Sequence, residues 1–376
     1  MTAMSNTLHK TIYESDIRSL LNLACAGLDQ MLDKERGIFC DRLICNGDEI
    51  RREGISERYT AMTLLGLNRY HAAGFESGYA LHDMARTLLS DADWATDIGD
   101  VGLLIWVYAE LIPSELEQCL RVVDLRSVIE RSDSFRTRQT MEAAWLLTGV
   151  SNAVLSNPSL SGQLSDVAHS IYGLLLRNRG RSGFFGHRSS GVGPAAWRGR
   201  IGSFADQVYS TYALTTYARA FSVAEALQVA VKCATELCKA QGPMGQWWWH
   251  YDAVSGRVVQ RYPVYSVHQE AMGPMALLEV GRAAAMNFDA SVLKGLAWIY
   301  GCNELQEDMR DVRLSLVWRC IKFGGKLRLV LREIENWRKG GNEPTSVGGL
   351  SVLKECRPYE LGWLLFAFSE YRASAA

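Results

Sequence analysis

The chain has almost no net charge: 40 Lys and Arg stand against 41 Asp and Glu, leaving about −1. That balance supplies no field to gather DNA, RNA or an anionic membrane, so nucleic acid is not an expected partner. No run of about 18 apolar residues occurs, which excludes a helical membrane span on sequence grounds. The nine cysteines (25, 40, 45, 119, 233, 238, 302, 320, 356) are odd in number and dispersed. No segment with a basic start and an apolar core opens the chain, so a reducing cytoplasm is the expected compartment. Cys233 and Cys238 have no partner pair elsewhere, so neither a zinc site nor another cofactor is expected. The glycine clusters Gly191-Val-Gly193 and Gly324-Gly325 lack the flanking strand and helix of a phosphate loop.

What is present is periodicity. Hydrophobic residues make up 48% and charged ones 22%, as in a globular protein with a large core. Six amphipathic segments (Ile17–Leu32, Gly78–Leu89, Glu115–Arg131, Leu164–Arg177, Val223–Lys239 and Ala290–Cys302) alternate with six nearly all-apolar ones. The apolar set is Ala61–His71, Val101–Leu111, Met141–Val154, Ser210–Phe221, Ala271–Ala285 and Leu361–Tyr371. Helices apolar on most sides belong inside, and one hairpin alone cannot bury its core face. The expected fold is therefore all-α: a single (α/α)6 toroid of six helical hairpins over residues 1–376. Met1–Ile12 is expected to be loose. Met309–Gly340 is read as an inserted β-hairpin and helix, because Arg313–Lys322 alternates at period two before the Gly324-Gly325 turn.

One phrase recurs before three of the inner segments: Arg36-Gly-Ile-Phe-Cys-Asp-Arg42, Ser182-Gly-Phe-Phe-Gly-His-Arg188 and Gly245-Gln-Trp-Trp-Trp-His-Tyr251. Glycine is read as the left-handed exit from the preceding outer helix, with the aromatic pair covering that helix end. Trp247 is read as packing and Trp249 is left open. Trp298, Trp318, Trp337 and Trp363 are read as core. The basic loop 177–200 reads as solvated, with a flap over the barrel mouth as the alternative.

Gln241-x3-Gly245-x-Trp247 resembles the QW motif of squalene and oxidosqualene cyclases, where Gln and Trp tie outer helices together and do no chemistry. The acidic signatures of those enzymes, Asp-x-Asp-Asp and Asp-Asp-x-x-Asp, are missing. The alternating helices with Gly-aromatic loops also look like the (α/α)6 carbohydrate-active proteins: N-acylglucosamine 2-epimerases, unsaturated glucuronyl hydrolases and uronyl epimerases. That likeness spans most of the chain and is one of pattern, so no residue is carried over by motif.

If the toroid closes, the starts of the inner helices ring one mouth of a central cavity. The ring comprises Glu57, Arg58 and Tyr59; Asp97 and Asp100; Arg138, Gln139 and Glu142; Asp206 and Tyr209; His268 and Glu270; and Arg357, Tyr359 and Glu360. N-capping alone accounts for Asp97, Asp206 and Glu57 taken singly. It does not ask for Arg138, Arg357, His268, Tyr209 or Tyr359. Opposed carboxylates, Arg and Tyr donors and Trp platforms suit a sugar or sugar acid. The candidate catalytic residues are His268, Glu270, His250, Asp206 and Asp100, with His250 and His268 expected to include the proton-transfer group. The candidate substrate-binding residues are Arg58, Tyr59, Asp97, Arg138, Glu142, Tyr209, Trp249, Tyr251, Arg357, Tyr359 and Glu360. The expected function is a carbohydrate-active enzyme (epimerase, hydrolase or lyase) within polysaccharide metabolism, taking a small-molecule or oligosaccharide substrate. The alternatives are a terpenoid cyclase-like enzyme and a non-catalytic toroid that binds a glycan or a protein.

Overall fold

The computed structural model describes residues 10–47, 49–125, 139–188, 198–324 and 349–372. Within them lie twelve α-helices: α1 Glu14–Asp29, α2 Glu57–Ala72, α3 Leu81–Ser90, α4 Ile98–Leu111, α5 Leu116–Val122, α6 Thr140–Ser156, α7 Ser161–Asn178, α8 Phe204–Phe221, α9 Ala224–Ala240, α10 Gly273–Ala284, α11 Asp289–Ile299 and α12 Pro358–Phe368. Even-numbered helices form the inner ring and odd-numbered ones the outer wall. In α3, Leu81, Met84, Ala85, Leu88 and Leu89 are the buried residues, a single stripe at helical spacing. In α4 every residue except Glu110 is buried. A one-sided stripe can only lie against something, whereas an all-round apolar helix has to be surrounded.

The inner helices touch in sequence, and α12 packs back on α2 to close the ring. Two pairs of glycines make the closest approaches. A Cβ on Gly66 of α2 would overlap the carbonyl of Gly362 in α12, and one on Gly149 of α6 would overlap the carbonyl of Gly102 in α4. The result is an (α/α)6 toroid, as the alternation of segments predicts.

Its centre is filled. Trp106, Trp145, Tyr209, Tyr212, Trp363 and Phe366 are all buried. Trp106 lies 5.3 Å from Tyr212, 5.5 Å from Trp363 and 5.4 Å from Phe366 between ring centroids. Tyr209 lies 5.2 Å from Trp145 and accepts a hydrogen bond from Trp363 Nε1 at 2.9 Å. Guanidinium groups cover the column at both ends: Arg58 is 5.7 Å from the Trp145 ring and Arg69 is 3.5 Å from the Phe366 ring. The expected single central hollow is thus replaced by an aromatic plug, with a cavity at the C-terminal ends of the inner helices.

Several boundaries differ from the sequence reading. α8 begins at Phe204 and α4 at Ile98, six and three residues ahead of their apolar runs, because Ser203 and Asp97 cap them there. Before α10, His268–Met272 forms a π turn in which Gly273 N–H reaches back to His268 O. Pro274 has no N–H to give to the ladder there. The glycines of the recurring phrase do adopt positive φ (Gly37 +67°, Gly183 +103°, Gly245 +95°), but in turns beyond the helix ends, not at the caps themselves. Lys10 bonds Asp16 and Ile12 is buried, so residues 10–12 are fixed, while 1–9 lie outside the described residues. Arg313–Lys322 divides between two sheets: Leu316–Val317 pairs with Arg310–Asp311, and Cys320–Phe323 pairs with Leu350–Leu353 and Val264–Tyr265. The helix expected after Lys326 lies outside the described residues, as does Trp337. Trp298, Trp318 and Trp363 are buried. No helix among the described residues is long and apolar enough to cross a membrane.

Candidate functional site

The two ends of the barrel are built differently. Connections from an inner helix to the next outer one are short, at 73–80, 112–115, 157–160, 222–223 and 285–288. Four of those from an outer helix to the next inner one are long, at 30–56, 179–203, 241–267 and 300–357, and they carry the small antiparallel sheets. Long loops on a rigid frame are where binding groups are usually mounted. They surround the N-terminal ends of the inner helices.

At that end the third residue of five inner helices is polar, namely Tyr59, Asp100, Glu142, Asp206 and Glu360, and His268 opens the π turn ahead of α10. Several of these also serve as caps. Asp97 accepts from the N–H groups of Gly99 and Asp100, and Asp206 accepts from Ser203 N and Oγ. Glu360 accepts from Arg357 N–H at 3.1 Å.

Side chains then link helix to helix. Arg58 donates to both oxygens of Asp100 (2.5 and 2.8 Å) and to Asp97 (2.9 Å), a fork across α2 and α4. Burial pushes the Asp100 carboxyl up; Arg58 opposes this and Asp97 reinforces it. On the far side Arg357 donates to the Tyr59 hydroxyl at 2.6 Å and to Glu355 at 2.8 Å. Tyr59 and Tyr359 lie 4.7 Å apart. Arg319 donates to Glu360 at 2.7 Å. Burial raises the Glu360 carboxyl against the pull of Arg319. Glu270 is wholly buried and neither of its oxygens has a hydrogen-bond partner among the described residues; burial first, and Glu360 second, drive it well above the usual carboxylate range.

The recurring phrase has a structural counterpart. Phe185 N–H donates to Gln207 Oε1 and Phe185 O accepts from its Nε2 (2.7 and 2.8 Å); Gln269 holds Trp247 in the same way (3.1 and 3.3 Å). Phe39 N–H donates to Thr60 Oγ1 at the matching position. Trp247 is locked between Gly273 and Gly295, where a Cβ would stand 2.6 and 2.7 Å from its ring. Gln241 Nε2 donates to Gly245 O and Ser291 O, both at 2.9 Å, tying the end of α9 to α11. Two residues beyond Phe185 and Trp247 comes a group facing the start of the next inner segment. His187 Nδ1 lies 3.5 Å from Asp206 Oδ2, and the Trp249 ring lies 6.0 Å from that of His268 at an interplanar angle of 11°.

Trp249 and His250 are half-buried at this mouth, with Tyr265 4.8 Å from Trp249. His250 Nδ1 is 2.7 Å from Gln260 Oε1, and burial lowers its imidazole to about 4. His268 sits beneath Trp249 and against Phe204 at 4.4 Å, 3% exposed, its Nδ1 without a partner among the described residues; burial lowers it to about 3. Both rings are therefore neutral at pH 7.

The expected ring is assembled for Arg58, Tyr59, Asp97, Asp100, Arg357, Tyr359 and Glu360. Tyr209 lies deeper, in the aromatic plug. Tyr251 is fully buried against Phe184, its hydroxyl accepting from Trp248 N–H at 2.9 Å. Arg138 lies outside the described residues, as does much of the basic loop after Arg188. Arg200 in that loop bonds Asp252 at 2.8 Å. Sequence reasoning missed His187, Arg319 and Glu355. His187 could have been found, since it holds the place in the second phrase that Trp249 holds in the third. Arg319 and Glu355 belong to the long last connection, where no periodicity points inward. Among the described residues no group of three or more His, Cys, Asp or Glu is gathered to hold a metal ion.

Neither a protein-family profile nor a curated protein sequence matches the chain. Solved structures do, and they place it among the (α/α)6 toroids. It is similar to the cellobiose 2-epimerase of Bacillus thermoamylovorans (10% identity, 95% of this chain and 100% of that one, TM-score 0.66). It is also similar to a sugar epimerase from a ruminal bacterium (11% identity, 94% and 98%, TM-score 0.62). A third similar structure is the unsaturated glucuronyl hydrolase of Streptococcus agalactiae (11% identity, 98% and 95%, TM-score 0.58).

Proposed function

We propose that the chain is a carbohydrate-active enzyme, an epimerase, hydrolase or lyase, acting on a sugar or sugar acid at the N-terminal mouth of the barrel. One observation carries the reading. The end of the toroid with the long loops is where ionisable groups in shifted or paired environments converge beside an accessible Trp face. Structural likeness to a sugar epimerase and a glucuronyl hydrolase supports it at the level of fold.

In this reading Trp249 stacks on the pyranose ring, and Arg357 with Tyr59 meets hydroxyl or carboxylate oxygens. Proton transfer falls to His250, neutral and half-exposed, and to the Asp97–Asp100 pair that Arg58 holds in place. His187, oriented by Asp206, forms an imidazole–carboxylate pair that can serve as a second proton carrier. His268 and Glu270 lie under this layer. His268 supports Trp249 from below and reaches substrate only if that ring swings aside. The filled barrel centre counts against a cyclase-like reaction, because an isoprenoid chain would have to lie where the six aromatic rings are packed.

The test is a product-resolved NMR assay over reducing disaccharides, N-acylated amino sugars and oligosaccharides ending in an unsaturated uronic acid. Turnover of one class that disappears in Asp100→Asn and Trp249→Ala is the expected result. Absence of both turnover and binding across all three classes, with folded wild-type protein, overturns the proposal.

A further inference from the structure

The opposite end of the barrel holds a cavity of about 660 Å³, lined by the last turns of five inner helices and by Glu370, just past the sixth. Short turns enclose it, so it owes nothing to the loops of the other mouth. Its floor is polar where the aromatic plug ends. Arg69, stacked on Phe366, gives one N–H to the Tyr212 hydroxyl at 3.1 Å and stands 3.9 Å from Glu110, too far for a hydrogen bond. Glu110 Oε1 accepts from Trp106 Nε1 at 2.6 Å, while Oε2 has no hydrogen-bond partner among the described residues. The side chains of Arg69 and Glu110 are only 20% and 19% exposed. A guanidinium with most of its donors unused therefore stands beside a carboxylate with a free oxygen, both largely withdrawn from solvent.

Neutralising helix ends does not explain this arrangement. The C-terminal carbonyls of a helix favour cations, so arginines are expected there and carboxylates are not. Yet Glu110, Glu279 and Glu370 accompany Arg69, Arg219 and Arg282 on the lining. At the rim Glu279 takes both Arg219 (2.8 Å) and Arg282 (2.6 Å), which fixes those side chains as walls.

We propose that this cavity is a second binding site, for a neutral polyhydroxylated molecule of monosaccharide to disaccharide size. Three cations against three anions give no net charge to attract an ion, and six helix C-termini converging on one space oppose an anion. A hydroxyl both accepts and donates, so neighbouring hydroxyls of a polyol satisfy Arg69 and Glu110 together, as no apolar or singly charged group does. The volume lies within the range of small-ligand pockets. The site is independent of the proposed chemistry at the N-terminal mouth.

Binding of glucose, xylitol and cellobiose is measured by saturation-transfer NMR and calorimetry, with glucuronate and glucosamine as charged comparators. Ser156→Trp, at an exposed position on the cavity wall, fills the space without touching the core. Glu110→Gln keeps the shape and removes the carboxylate. The expected result is saturable binding of a neutral polyol that weakens about tenfold or more in both variants, the loss of one charge-assisted hydrogen bond or more. It should persist in Trp249→Ala, which alters only the other mouth. Three results overturn the assignment: no saturable binding at high millimolar concentration, binding unchanged in both cavity variants, or tighter binding of a charged comparator than of every neutral polyol. Loss of polyol binding in Trp249→Ala alone assigns it to the N-terminal mouth and also overturns the second site.

Discussion

The two ends of the barrel start from the same six helices and the same aromatic plug, and each is covered by one arginine, Arg58 above Trp145 and Arg69 above Phe366. They diverge in what surrounds that arginine. Arg58 gives three hydrogen bonds to Asp97 and Asp100, and the long loops of that end carry Trp249, His250 and His187. Arg69 has one hydrogen bond, to the Tyr212 hydroxyl, a loose pairing with Glu110 at 3.9 Å, and an open cavity. At the N-terminal end, carboxylates serve as helix caps and are tied down whatever else they do. At the C-terminal end they oppose the helix dipoles, so their presence asks for a reason outside the helix. A polar group placed with the dipole is weak evidence of a site, and one placed against it is stronger.

The comparison breaks most completely if the barrel itself opens. Gly149→Ala puts a methyl into the Gly102 carbonyl, and a loss of about 3 kcal/mol in urea unfolding is expected, with both ends affected together. Asp100→Asn takes the paired carboxylate from Arg58, whose side chain is 37% exposed, so about 2 kcal/mol is expected, less than for a fully buried pair. It should abolish turnover while leaving polyol binding at the other end intact. Trp249→Ala should cost under about 1 kcal/mol in stability, because the ring is half-exposed, yet weaken sugar binding at the N-terminal mouth about tenfold.

The histidines sharpen the contrast through pH. Burial lowers His250 to about 4 and His268 to about 3, below the ordinary value of 6.5. The unfolded chain therefore takes up protons below pH 6.5 that the folded chain refuses. Their contribution is fully present above pH 6.5 and is lost as pH falls toward 4 and 3, at about 1.4 kcal/mol per pH unit for each group. His268→Gln should make the stability curve between pH 6 and 4 less steep by about that amount. If His250 is the base, kcat/KM should fall as pH drops through about 4, not 6.5. The smallest effect belongs to the outer wall: Arg86→Ala breaks surface pairs with Asp83 and Glu115 and should leave Tm and both binding activities unchanged.

Much of the barrel was legible in the chain. The stripe Leu81, Met84, Ala85, Leu88, Leu89 and the all-apolar run Val101–Leu111 announce outer and inner helices, because burial of one side or of all sides writes itself into periodicity. The mouth was half legible. Arg58, Asp97, Asp100, Arg357 and Glu360 could be named because they open helices, and an apolar run marks where each helix starts. Tyr209, in the second turn of α8, and Tyr251, in a strand of the 241–267 connection, could not be told from mouth residues, since depth below the mouth has no sequence signature. Arg69 and Glu110 escaped notice because a lone charge near the end of an apolar helix reads as an exit to solvent.

Sequence by itself determined the alternation of helices, the glycines that let them approach, and the polar first turns, since all of these are local consequences of side-chain size, burial and hydrogen-bonding demand. Tertiary structure alone decided that six aromatic rings from four helices meet and close the centre, and that Arg69 faces Glu110 across a cavity. Those facts depend on distances between residues far apart in the chain, which are set only when the ring closes.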